Sequence, residues 1–509
     1  MADVDEIAST LEHLRARMVD LVVRGLASVA PGDLTALTTL TDACERDGMT
    51  HVATRLRAML RAITGDAATA PAAMLSAWTS LHVFERVLSL EVATAAWARA
   101  IALRDGDGDG DGDGDGDEDA GVADDDAVEA AAVPLAVTAL PAAEQRKLAA
   151  LLEELGDAIE DLIRTGLTSA TDATRQKLDA SFKEASRMKL LRLGASLRYV
   201  NEEVGRYLEH AETFSARRLV FFAHRAWLLA RGIALGLAER NDAVLARLLM
   251  QSTREPVPVT SIDVVTLGVY TRSVQAACTF DFRLRIVKAD DKALVGRALV
   301  LGLVFGRKST EVSAEAFLHL PQPQKYHPKI FTEPKVLTVT ASAIVPDDRG
   351  GGRLMLGPKA TVTQGKALKS WKPYAAWTMD PLLARVQAHV VTPLDLAVEL
   401  QDEVVLTDWT CEEDRARATA ERRIFTVHAA GLAFDAQIPT GAEGKALAAR
   451  FEELAAAKTR APLYGLVHYE HGRLVLTPLA TLDDDDGPTH LMLSNEKINL
   501  SALLGNLNL

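Results

Sequence analysis

The chain has 509 residues, too long for one hydrophobic core, so two to four domains are expected. Hydrophobic residues make up 48% and aromatics only 5%, with alanine and leucine dominant, a mixture that supplies cores and favours helix. The net charge of −14 is concentrated in Asp105 to Asp126, which holds eleven Asp and one Glu, so the rest is nearly neutral and neither a globally basic nor a globally acidic partner surface is implied.

Residues 5–103 read as helix. Ile7, Leu11, Leu14, Met18, Leu21, Val22 and Leu26 recur at three- and four-residue spacing and define one apolar face. Pro31-Gly32-Asp33 breaks the chain and offers Asp33 as an N-cap. A second helix runs to about Asp47-Gly48, a third covers Val52 to Ile63, and a fourth follows Pro71 and carries Leu75, Trp78, Leu81, Val87, Val92 and Trp97. The Asp/Gly run that follows cannot bury apolar area and repels itself, which predicts a flexible linker over 105–139. Asp107, Asp109, Asp111, Gly112 and Glu118 also fit a calcium-loop pattern, but a (DG)n run fits it in almost any register.

Residues 141–252 are helical again and repeat the first segment. At a fixed offset of 141, Leu11, Glu12, Leu14, Asp20, Leu21, Gly25, Leu26 and Ser28 match Leu152, Glu153, Leu155, Asp161, Leu162, Gly166, Leu167 and Ser169. Leu37, Arg46, Leu56 and Arg57 match Leu178, Arg187, Leu197 and Arg198 without a gap. Composition alone would supply leucine matches but not Asp, Gly, Ser and Arg in register. Two copies of one helical unit are expected, at 1–104 and 140–253, forming either one joint bundle or two tethered bodies. The shared Gly-Leu-x-Ser is read as packing or a helix C-terminal turn.

After Pro256 the apolar period changes to two. Cys278, Phe280, Phe282, Leu284 and Ile286 alternate with polar residues, as do Leu337 through Val345. A turn at Asp347 to Gly352 returns the chain as a partner strand. Further strands are expected at 262–270, 297–305, 394–406 and 423–435, a helix at 442–458, and a last hairpin turning at Glu470 to Gly472. The fold class is therefore α+β and multidomain: duplicated helical units, then a mainly antiparallel β-rich domain over 254–509.

The sequence carries no recognisable catalytic set. The stretch 302–310 resembles a phosphate loop but fails its spacing, because Gly302 and Gly306 are too close and Arg307 precedes Lys308. His468 and His471 read as exposed hairpin residues, and His224 as a core histidine. Cys44, Cys278 and Cys411 have no ligand or disulfide spacing, so no metal or cofactor is expected and a reducing cytoplasm is. No signal-like N-terminus and no apolar run near ~18 residues is seen, so no membrane partner is expected. Residues 301–375 carry eleven Lys or Arg against five acids. Arg307, Lys308, Lys325, Lys329, Lys366, Lys369 and Lys372 form a candidate nucleic-acid patch, or else the solvated edge of a sheet. Trp78, Trp97 and Trp227 are candidate partner-binding anchors if exposed.

The helical motif at 11–28 and 152–169, with the ending PLYGLVHYEHGRLVLTPLATL, resembles accessory proteins found beside bacterial MoxR-type AAA+ ATPases and von Willebrand factor A proteins. Some of those carry a SWIM zinc finger, and the CxC…CxH ligands of that finger are absent from this chain. The resemblance implies a non-enzymatic scaffold or adaptor acting with such an ATPase and such a protein. The alternatives are a nucleic-acid-binding protein using 301–375, and an enzyme of unrecognised type in the β-rich half.

Overall fold

The computed structural model describes residues 4–106, 137–138, 140–249, 255–274, 277–306, 313–347, 350–457 and 460–493. The calcium-loop pattern at 107–118, and all but the ends of the expected linker, lie outside them. The chain divides into a helical unit (residues 1–89, 113–253 and 390–396) and a β-rich unit (90–112, 254–389 and 397–509).

In the helical unit the first copy is α1 Val4–Arg24, α2 Pro31–Arg46, α3 Thr50–Gly65 and the start of α4 Ala70–Gly106. The second is α5 Ala142–Thr165, α6 Asp172–Arg187, α7 Leu191–Leu208, α8 Ala216–Glu239 and α9 Asp242–Leu249. The offset of 141 holds for the end of α1 against α5, for both ends of α2 against α6, and for the starts of α3 and α7. It also holds for the 3₁₀ turns Leu26–Ser28 and Leu167–Ser169. Buried residues follow the same register: Leu14 and Leu155, Met18 and Ile159, Val22 and Ile163, Leu56 and Leu197. All lie in one hydrophobic cluster, so the copies share a joint core.

The copies meet at their glycines. Gly25 has φ 87° and Gly166 φ 76°, a region that side chains with a Cβ avoid. A Cβ on Gly25 would lie 2.5 Å from the Thr165 carbonyl carbon, and one on Gly166 would lie 2.4 Å from the Gly25 nitrogen. The two turns therefore touch backbone to backbone, each copy presenting the same motif to the other. Asp33 is not the N-cap of α2. Ala30 holds that place, and Asp33 sits three residues in, where its Oδ2 accepts from the Ala30 N–H at 3.1 Å and its carboxylate accepts from Arg24 at 2.9 and 3.0 Å. Among the described residues, α8 is the one helix long and apolar enough to cross a membrane, and Leu219, Val220, Ala223, Leu229 and Ile233 on it are buried in the joint core.

The β-rich unit begins with a closed barrel of order β1-β2-β3-β5-β4. Its strands are β1 Val257–Val274, β2 Ala277–Ala289, β3 Ala298–Gly306, β4 Lys335–Pro346 and β5 Gly352–Ala367. All pairs are antiparallel except β3 with β5, which pair in parallel at Leu299 with Gly352 and Val300 with Arg353. Burial along β2 alternates as its sequence does, with Cys278, Phe280, Phe282, Leu284 and Ile286 inside. Phe317 and Phe331, from two 3₁₀ turns between β3 and β4, join this interior. A five-stranded Greek-key barrel of this kind is the architecture of the OB-fold.

Two short helices follow, α10 Lys372–Ala375 and α11 Asp380–Ala388, and then a second sheet of order β6-β10-β11-β9-β8-β7, with β12 on β11. Its strands are β6 Asp402–Leu406, β7 Thr410–Glu413, β8 Arg422–Ala429, β9 Leu432–Pro439, β10 Leu463–Glu470, β11 Arg473–Asp483 and β12 Gly487–His490, with α12 Ala442–Ala456 between β9 and β10. Two expectations change. The strand expected at 423–435 is a hairpin turning at Ala430-Gly431, both at positive φ. The strand expected at 394–406 begins only at Asp402.

Candidate functional site: a small mixed cleft at one end of the second helical copy

α6, α7 and α8 are successive antiparallel neighbours, and α5 packs on α8. The start of α5, the end of α6, the start of α7 and the end of α8 with α9 therefore gather at one end of the copy. Between α5 and α6 this end holds a cleft of about 180 Å³ lined by Glu144, Lys147, Leu148, Leu151, Glu184, Arg187 and Met188. Leu148, Leu151 and Met188 are its apolar lining, and the charged residues lie beside them. Arg187 grips Glu184 with two bonds, Nε to Oε2 at 2.9 Å and Nη2 to Oε1 at 2.6 Å. Those bonds hold the Glu184 carboxyl below its ordinary pKa. At the same end Leu191 is 75% exposed, Leu235 57% and Val244 40%.

The first copy does not repeat these features. Thr10 and Asp47 stand where Leu151 and Met188 stand, and Thr10 Oγ1 donates to Asp47 Oδ2 at 3.2 Å. Thr50 stands in place of Leu191. The first three helices of the two copies share one register, and at these three positions the second copy is apolar where the first is polar. Polar-to-apolar exchanges between repeat positions were readable at the offset of 141, and sequence reasoning passed over them because it ranked residues by type, tryptophan first.

The tryptophans are placed otherwise. Trp78 is 7% exposed with its ring 6.5 Å from that of His224, and Trp97 is fully buried, its Nε1 donating to Tyr469 Oη at 3.1 Å. Trp227 is half-buried and its Nε1 donates to Glu160 Oε1 at 2.8 Å. None presents an exposed indole to a partner.

Of the basic residues, Arg307 and Lys308 lie outside the described residues, as does most of the phosphate-loop-like stretch. Lys325, Lys366, Lys369 and Lys372 are exposed and Lys329 is half-buried. His224 is a core histidine. The Thr79 hydroxyl donates to the Leu75 carbonyl, so His224 Nε2 donates to Thr79 Oγ1 at 2.8 Å, and burial pushes its pKa down to about 3. His468 is not the exposed residue its place on the hairpin suggested: it is 9% exposed, while the side chain of His471 is 49% exposed. Hydrogen bonds from both histidines hold the Glu470 carboxyl well below its ordinary pKa. The acidic run 483–486 makes turn contacts. Asp484 Oδ1 accepts from Ser370 Oγ, Trp371 N and Lys372 N, and Asp483 Oδ1 from Asp485 N and Asp486 N.

In the β-rich half, Arg285 on β2 pairs with Glu403 on β6 beside Tyr464. Burial opposes the charged carboxylate, yet the Arg285 charge holds Glu403 below its ordinary pKa, as expected of a compensated structural pair. The Cys44 and Cys411 thiols are pushed up to about 11 by burial, far from a thiolate nucleophile at neutral pH. No family model matches the chain, and a search of curated proteins finds no match.

Proposed function

We propose that the protein is a non-enzymatic adaptor that captures a protein partner at the α5–α6 end of its second helical copy. The cleft carries this reading. Its 180 Å³ falls short of the roughly 300–1,000 Å³ of small-molecule and cofactor sites, and suits one or two side chains of a partner. Leu191, Leu235 and Val244 add exposed apolar side chains at the same end, and Glu144, Lys147, Glu184 and Arg187 line the cleft itself, a mixture suited to a recognition patch. The joint core beneath makes the platform rigid. The resemblance at 11–28, 152–169 and 464–480 nominates a MoxR-type AAA+ ATPase and a von Willebrand factor A protein as partners. The free thiols Cys44 and Cys411 suit a reducing cytoplasm.

The test is direct binding of the purified chain to the purified ATPase and von Willebrand factor A protein of its own genome. Leu151→Glu with Leu191→Ser should weaken binding by about 30-fold, or ~2 kcal/mol. The melting temperature should change little, because both side chains are at least partly in water. Undiminished binding by the double variant would remove the cleft from the interface, and absence of binding by the wild type would remove these partners.

A further inference from the structure

We propose a second binding surface, independent of the helical cleft: the outward face of β5 and the chain that leaves it bind single-stranded nucleic acid through its phosphates. Arg353, Met355, Lys359, Thr361 and Thr363 are exposed on β5, while Leu354 and Ala360 are buried in alternation with them. Lys366, Lys369 and Lys372 continue the exposed row. Residues 350–379 contain no Asp or Glu. Among the described residues no carboxylate lies within ion-pair distance of Arg353, Lys359, Lys366 or Lys369. Blunting a sheet edge takes a lysine or two. Lys372 lies against Asp484, but Arg353, Lys359, Lys366 and Lys369 repel one another without a paired carboxylate, and an extended anion relieves that repulsion.

Strand geometry supports the fit. On the partner strand, ten residues separate Val345, opposite Arg353, from Lys335, opposite Ala367, so at about 3.3 Å per residue the row spans about 33 Å, a line one strand wide rather than a broad basic face. β5 pairs with β4 along most of its length but with β3 only at Gly352 and Arg353, so the rest of that edge is not paired with a strand. Beside the cations, Thr361 Oγ1 shares a hydrogen bond with Thr340 Oγ1 at 2.6 Å, and Thr363 Oγ1 donates to the Thr338 carbonyl at 3.5 Å. Arg353, Lys359, Lys366 and Lys369 supply phosphate contacts, which carry no base sequence information, and the Gln364 amide is engaged with Glu333.

The experiment is fluorescence anisotropy of labelled oligothymidylate with the full-length chain across a salt series. Each phosphate neutralised on a single strand contributes about 0.7 to the slope of log affinity against log salt, so four cations predict a slope near −3. R353Q/K359Q/K366Q/K369Q should flatten that slope toward zero and weaken low-salt binding at least tenfold. The single variants K359Q and K366Q should each reduce the slope by about 0.7, which keeps the test alive if the quadruple variant fails to fold. The proposal is overturned by wild type that does not bind, or by an unchanged slope in the variants. Tighter binding of duplex DNA, or equal competition by polyglutamate, overturns it too, the latter marking a dock for acidic protein. Leu151→Glu with Leu191→Ser leaves this binding intact, so the two surfaces fail or stand separately.

Discussion

At Gly25 and Gly166 the two helical copies meet backbone to backbone, and both constraints on them are steric. Their φ of 87° and 76° disfavours any Cβ, and that Cβ would also land within 2.5 Å of the opposite turn. Gly48 is the control. It has φ 84° but nothing within 4 Å of a Cβ, and its repeat counterpart Lys189 adopts φ 58° with a full side chain. Gly48→Ala should therefore cost about 1 kcal/mol, the conformational penalty alone. Gly25→Ala or Gly166→Ala should cost 3 kcal/mol or more, because backbone must move on both sides. Urea denaturation of the three variants decides it. Equal losses would mean that the turns are not in contact.

At the scale of elements, helix boundaries, the repeat and the alternation of β2 were legible because each is written locally, in periods of 3.6 or 2 and at a constant offset. The barrel order was not, since the pairing of β1 with β4 joins Val257 to Ile344, and a local pattern does not say which strands meet. The same limit hid the segment 390–396, whose last three residues fall in the span expected to be a strand. It belongs to the helical unit, and the bonds that tie it there come from residues distant in sequence. His82 Nε2 donates to the Asp395 carbonyl at 2.8 Å, Arg225 Nη1 to the Leu394 carbonyl at 2.8 Å, and Arg192 Nη2 to the same oxygen at 3.3 Å. Leu394, 7% exposed, enters the joint core. Leu394→Ala should destabilise the helical unit by about 2–3 kcal/mol, the usual cost of a buried leucine. Hydrogen exchange at 390–396 should accelerate with it. A variant as stable as wild type would mean that the segment only rests on the surface. The candidate site was half legible: the copies were aligned, but the apolar exchanges at Leu151, Met188 and Leu191 gain meaning only once helix packing places them at one end.

For the whole molecule, buried histidines set the response to pH. Burial pushes His224 down to about 3 and His490 down to about 4, and burial also lowers His82. Each is depressed relative to the unfolded value near 6.5. As pH falls, the unfolded chain takes up these protons first, and the folded state loses stability. Above about pH 7 the histidines contribute no slope. Below about 6.5 each costs about 1.4 kcal/mol per pH unit until its folded pKa is reached. Carboxylates such as Asp33 and Glu184, lowered by their arginine partners, act only below the ordinary carboxylate range, so the window from 6.5 to 5 belongs to the histidines. Because His82 and His224 lie in the helical unit and His490 in the β-rich unit, both units should weaken together. Urea denaturation at pH 7.5 and 5.0 should show a loss of about 2 kcal/mol for each histidine that remains neutral on folding. His224→Gln keeps a donor for Thr79 Oγ1 and removes the titration, so it should recover about 2 kcal/mol of the helical unit's acid loss. Equal wild-type stability at the two pH values would show that these histidines take up their protons in the folded chain as readily as in water, and that the helical core around His224 opens without cost.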